Sequence, residues 1–185
     1  MHRLTTLLML LSLLMATTLF NGCAVYDVAV EERNVGDWAG DEKIGLTIEK
    51  DFLADDTVKY LDFDAACYEG HVYITGEYES HDQVTRAVEI AKAVKGVRQV
   101  TTYLLPKKED DDCSTTDSLD IHTRLWNKLM TDKEIWSTNI NVETVQCNVI
   151  LLGIVGTQTA KDRAEAHAKA IPGVRSVKSY LKVNK

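Results

Sequence analysis

Two stretches of this 185-residue chain repeat one another at a constant offset of 77 positions. Arg86-Ala87, Ala91-Lys92-Ala93, Gly96-Val97-Arg98, Val100 and Tyr103-Leu104 recur as Arg163-Ala164, Ala168-Lys169-Ala170, Gly173-Val174-Arg175, Val177 and Tyr180-Leu181. The same offset carries Ile44 to Ile121, Asp55 to Asp132, Val72 to Val149 and Gly76 to Gly153. A fixed period means one structural unit used twice, so residues 41–106 and 118–185 must share a fold. A polar, acidic linker, residues 107–117, joins them, and residues 1–22 and 23–40 precede them as a leader and a lead-in.

Each unit reads as helix, strand, strand, helix, strand. Ile44, Ile48 and Phe52 make a helical stripe. Leu61, Phe63 and Ala65, then Val72, Ile74 and Gly76, alternate with polar residues around Glu69-Gly70, which is a hairpin pattern. Ser80 with Gln83 opens a second helix as a capping box, and Gly96 closes it. Val97 to Leu104 is the last strand. The fold class is therefore α+β: two tandem two-layer domains, each with two helices on a three-stranded mixed sheet.

The leader has Arg3, an apolar run over Leu7–Leu14 and small residues before Cys23, the pattern of a secretory signal. The run is shorter than the ~20 apolar residues a membrane span needs. Its Gly22-Cys23 end resembles a bacterial lipoprotein signal, which implies a lipid anchor on Cys23, and Ala24 after it implies outer-membrane sorting.

The skeleton shared by the two units, Val72-x-Ile74-x-Gly76 with Val149-x-Leu151-x-Gly153, the Ala-rich helix, and Gly96-Val97-x-x-Val100 with Gly173-Val174-x-x-Val177, resembles the BON domain family. With the leader, the layout is similar to dual-BON outer-membrane lipoproteins. What the resemblance implies is a protein that is not an enzyme, is anchored to the outer membrane facing the periplasm, binds anionic phospholipid and supports envelope integrity. The competing expectation is a protein–protein adaptor or chaperone-like factor in envelope assembly.

The net charge of −7 argues against a nucleic-acid partner, since phosphate binding needs surplus Lys and Arg. That total conceals a split. Residues 41–106 carry −6 and residues 118–185 carry +4, with the linker at −3 and residues 1–40 at −2. The basic residues Lys161, Arg163, Lys169, Arg175 and Lys178, with Trp126 replacing Glu49 of the first unit, form the expected phospholipid-binding set. A solvated face paired with acids such as Asp162 and Glu165 is the plainer reading. Trp136 replaces Lys59 and faces either a membrane interface or the other unit.

Val149 to Val155 is apolar on both strand faces, so the first unit, the lead-in or a lipid must cover it. The five histidines lack metal-ligand spacing, and Glu109 to Asp112 lacks the Gly and Glu of a calcium loop. No catalytic residue, metal or cofactor is expected. Cys67, Cys113 and Cys147 remain after the anchor, and either one pair bridges or all three are free thiols.

Overall fold

The computed structural model describes residues 31–58 and 62–184. The leader, Cys23 and residues 24–30 of the lead-in lie outside the described residues. The chain forms α1 (Val35–Leu53), β1 (Phe63–Tyr68), β2 (His71–Tyr78), α2 (His81–Ala93) and β3 (Gln99–Pro106). The second unit supplies α3 (Thr115–Thr131), a short 3-10 turn at Ser137–Asn139, β4 (Ile140–Val145), β5 (Asn148–Val155), α4 (Gln158–Lys169), β6 (Ser176–Ser179) and β7 (Lys182–Val183).

In the first sheet β2 is central, antiparallel to β1 and parallel to β3. The second sheet repeats this around β5, with β6 and β7 sharing the place of β3. The expected α+β unit is present twice, on a three-stranded mixed sheet in the first unit and a four-stranded one in the second. The last strand of the second unit differs, breaking at Tyr180-Leu181 where its counterpart runs on. Lys161 donates from Nζ to the Leu181 carbonyl at 2.7 Å, satisfying an acceptor that the break takes out of the ladder.

Two helical cores follow the expected stripes. Ile48 and Phe52 of α1 pack with Val72, Ile74, Ala87 and Ala91. Ile121, Leu125 and Leu129 of α3 pack with Val149, Leu151, Ala164 and Ala168. The glycine that ends the Val-x-Ile/Leu-x-Gly motif, inside the central strand, is obligatory in both units. Gly76 and Gly153 have φ of 135° and 140°, and a Cβ at either would sit on a backbone carbonyl, of Asp62 or Asn139.

The Ser80–Gln83 capping box forms as expected, with the Gln83 Oε1 accepting the Ser80 N–H at 3.1 Å. The first helix, however, begins well before residue 41. Asn34 caps it by accepting the Asp37 N–H at 2.9 Å, so Asp41 lies inside α1 and is buried. The second faces of the two sheets meet in a third core. Tyr73, Val145, Ile150 and Leu152 are buried there with Tyr103 and Tyr180 at its edge. The first unit therefore covers β5, and the layers run helices, sheet, sheet, helices. Tyr73 and Tyr180 lie 5.0 Å apart between ring centroids. Beside this seam Glu32 spans the units: its carboxyl rests over Gly156, its carbonyl accepts from Asn184 at 2.7 Å, and the next residue, Arg33, pairs with Asp41.

Candidate functional site

The outer surface of the second unit departs furthest from that of the first. On α3 the buried stripe Ile121, Leu125, Leu129 follows the i, i+4, i+8 period. A second stripe follows from the same 100° step per residue. Leu119, Trp126 and Met130 fall at i, i+7 and i+11 and share one flank of the helix. Leu119 is 64% and Met130 59% exposed, and Trp126 is half-buried. The matching positions of the first unit are Glu42, Glu49 and Leu53. An acidic flank has become an apolar one. Burial and the charges of Asp64 and Glu42 push the Glu49 carboxyl up, in keeping with its acidic surroundings. Sequence reasoning picked out Trp126 but missed Leu119 and Met130, which the helical period connects to it. Trp136, beyond the helix, is 53% exposed.

The basic residues of the expected set are distributed around the unit. Arg163 on α4 reaches back to Asp132, which caps the C-terminus of α3, with Nε–Oδ2 at 2.8 Å and Nη2–Oδ2 at 2.7 Å. His167 brings Nε2 to 2.6 Å from the same oxygen. The Asp132 side chain is 3% exposed, yet Arg163 and His167 hold its carboxyl far below the usual carboxylate range. The first unit repeats the pair, with Arg86 Nε 2.7 Å from Asp55. Arg175 pairs with Asp111 of the linker at 2.7 Å.

Lys161 is half-buried on the Leu181 carbonyl, and Lys169 is exposed 4.0 Å from Glu165. Lys178 sits 5.3 Å over the Tyr180 ring. Val177 packs into the helical core, so by strand alternation Lys178 points to the other face of the sheet from Lys161 and Lys169. Trp126, Lys161, Arg163, Lys169, Arg175 and Lys178 thus do not converge on one patch.

Cys113 and Cys147 form a disulfide, with Cα atoms 5.8 Å apart. Cys67 is a buried free thiol donating to Asp41 at 3.3 Å, and burial beside that carboxylate pushes it up to about 12. The linker is fastened rather than simply solvated. Asp111 bonds Arg175 and accepts the Cys113 N–H at 2.7 Å, and residues 115–117 are already the first turn of α3. Among the described residues no group of three or more His, Cys, Asp or Glu could hold a metal ion, and no helix is long and apolar enough to cross a membrane.

The chain is 32% identical over 156 residues to osmotically-inducible protein Y of Escherichia coli, covering 80% of this chain and 75% of that protein. It is 27% identical over 168 residues to outer membrane lipoprotein DolP of Haemophilus influenzae, covering 90% and 86%. Among solved structures it is similar to the C-terminal domain of CdsD, the structural protein of the type III secretion system of Chlamydia trachomatis. That likeness has a TM-score of 0.31 and 13% identity, over 77% of this chain and 66% of that one. The BON domain model matches residues 40–105 and again 117–185, the two units that the repeat defines, and the chain therefore belongs to the BON domain family.

Proposed function

We propose that this tandem BON protein is a non-enzymatic envelope module that contacts anionic phospholipid through the flank of α3. The observation that carries the reading is the stripe Leu119, Trp126, Met130, apolar and accessible where the first unit has two glutamates. Amphipathic and apolar side chains of this kind favour the headgroup boundary, and each nearby Lys or Arg adds about 1 kcal/mol against an anionic leaflet. Lys128 and Lys133, both exposed and close in sequence, supply such charge, as does Lys169 on α4. Arg163 and Arg175 contribute less, since their guanidinium groups are already paired.

Two further supports come from outside the site. One relative is named an outer membrane lipoprotein, and residues 1–23 carry a lipoprotein-like leader ending at Cys23. An anchor there would hold the α3 flank near an outer-membrane surface facing the periplasm, which removes most of the entropic cost of a weak contact.

The test uses unlipidated protein and vesicles with or without phosphatidylglycerol, read by co-flotation and by tryptophan emission. Binding to the anionic vesicles, weakened by Leu119→Ser with Met130→Ser, is the expected result. Equal failure to bind either vesicle ends the phospholipid reading. Separately, Cys23→Ala should release the protein from cell membranes; continued membrane association of that variant removes the anchor.

A further inference from the structure

The two units fasten the same hairpin turn to the start of their first helix by different chemistry. In the first unit the turn is Glu69-Gly70, with φ of 53° and 71°. Asp41 of α1 holds it, accepting the Glu69 N–H at 2.7 Å and the Gly70 N–H at 2.9 Å. Burial pushes the Asp41 carboxyl up, but these bonds and Arg33 outweigh it and keep the carboxyl below its ordinary value. In the second unit the turn is Gln146-Cys147, with φ of 48° and 57°. The residue at the place of Asp41 is Ser118, whose short hydroxyl offers no such clamp. Its Oγ instead lies 3.2 Å from the Cys113 sulfur, and the Cys113–Cys147 bond makes the connection.

We propose that the Cys113–Cys147 pair is a redox-dependent lock on the second unit. Oxidised, it pins the linker strap and the β4–β5 turn; reduced, it frees both, while the first unit stays clamped by Asp41. The strap has work to do, since it crosses the seam between the sheets. Lys107 pairs with Asp62, and Asp111 pairs with Arg175 beside the turn. Gln146 donates to the Pro106 carbonyl at 2.8 Å.

The reacting partner is a protein dithiol or disulfide of the envelope. A thiolate attacks the Cys113 sulfur, the more accessible of the two, and forms a mixed disulfide as the Cys147 thiolate leaves. A second thiol of the partner then attacks that mixed disulfide and releases Cys113. Two electrons and two protons pass to this chain, and the partner leaves with the new disulfide. Oxidation is the reverse, with an oxidoreductase disulfide taking the two electrons. Cys67 does not compete in either direction, because its thiol is buried and its thiolate is disfavoured by Asp41.

The test is hydrogen exchange on the full mature chain with and without dithiothreitol. Reduction should speed exchange on the order of a hundredfold across 107–118 and 140–148, with the 67–71 turn unchanged. Unchanged protection in the second unit overturns the proposal. A triple variant, Cys113→Ser, Cys147→Gly and Ser118→Asp, transplants the carboxylate clamp. It should fold, protect the turn and ignore dithiothreitol, even if the reduced natural chain unfolds outright. A transplant that leaves the turn as unprotected as the reduced natural chain also overturns the proposal.

Discussion

His167 places Nε2 2.6 Å from a carboxylate oxygen of Asp132, a contact that Ile90, its counterpart in the first unit, cannot offer Asp55. The shared Asp–Arg pair ties the end of each first helix to its Ala-rich helix, and the second unit has added a third member. Asp132 is also the more enclosed of the two acids, with its side chain 3% exposed against 14% for Asp55. Asp132→Asn should lower stability at pH 7 by about 2 kcal/mol, the scale of charge-assisted hydrogen bonds. Because the folded-state pKa of Asp132 is depressed, its contribution is present above the unfolded carboxylate range and is lost as pH falls. Urea melts should show the gap between the variant and the natural chain holding down to about pH 4 and narrowing only below it, as the unfolded carboxylate protonates.

Glu143 behaves in the opposite sense. Burial, then the charges of Asp64 and Glu49, push its carboxyl up to about 7, with the Asn141 amide opposing at 2.8 Å. A raised folded-state pKa gives stability below the unfolded value of roughly 4.3 that is lost as pH rises toward 7. Glu143→Gln should therefore be neutral near pH 4 and raise the melting temperature by about 2–4 °C at pH 8, read by calorimetry.

Gly153→Ala tests the close approach in the central strand. Its Cβ would strike the Asn139 carbonyl, and φ of 140° is closed to alanine. A loss of about 3 kcal/mol or more is expected by denaturant melt, and Gly76→Ala should match it. A melt within 1 kcal/mol of the natural chain, a threshold set by ordinary surface changes, would mean that the strand relaxes away from the contact.

Ile150 is fully buried in the seam between the sheets. Ile150→Ala should cost about 2–5 kcal/mol, as large-to-small core changes do. Much of that cost falls on the packing between units, so the urea transition should broaden or split. An unchanged single transition would show that the units do not depend on this contact for cooperativity.

Much of this architecture is legible in the sequence, because repeat offset, helical stripe, strand alternation and capping box are all local patterns. Ser80 with Gln83, and Ile48 with Phe52, declare their structure within a few residues. What escaped depends on partners far along the chain. Nothing near Asp41 in the sequence marks its role, because the turn it clamps lies 28 positions on. Cys113 and Cys147 could not be chosen over Cys67 without knowing that α1 buries Cys67 against that same aspartate. The basic set around Lys161 and Arg163 read as one charged face, because residue type does not reveal that Lys161 serves a broken strand and Arg163 an acid at the end of α3.

The sheet-against-sheet stacking also sets the direction of the electrical asymmetry. The unit with net charge −6 and the unit with +4 lie back to back, each turning its helices outward. The molecule consequently carries a dipole along the normal of its layers. Near any charged surface, and within the ~8–10 Å over which salt leaves such fields effective, one broad face is drawn inward while the other is turned away. Orientation is thereby selected by the fold as a whole, ahead of any contact made by an individual side chain.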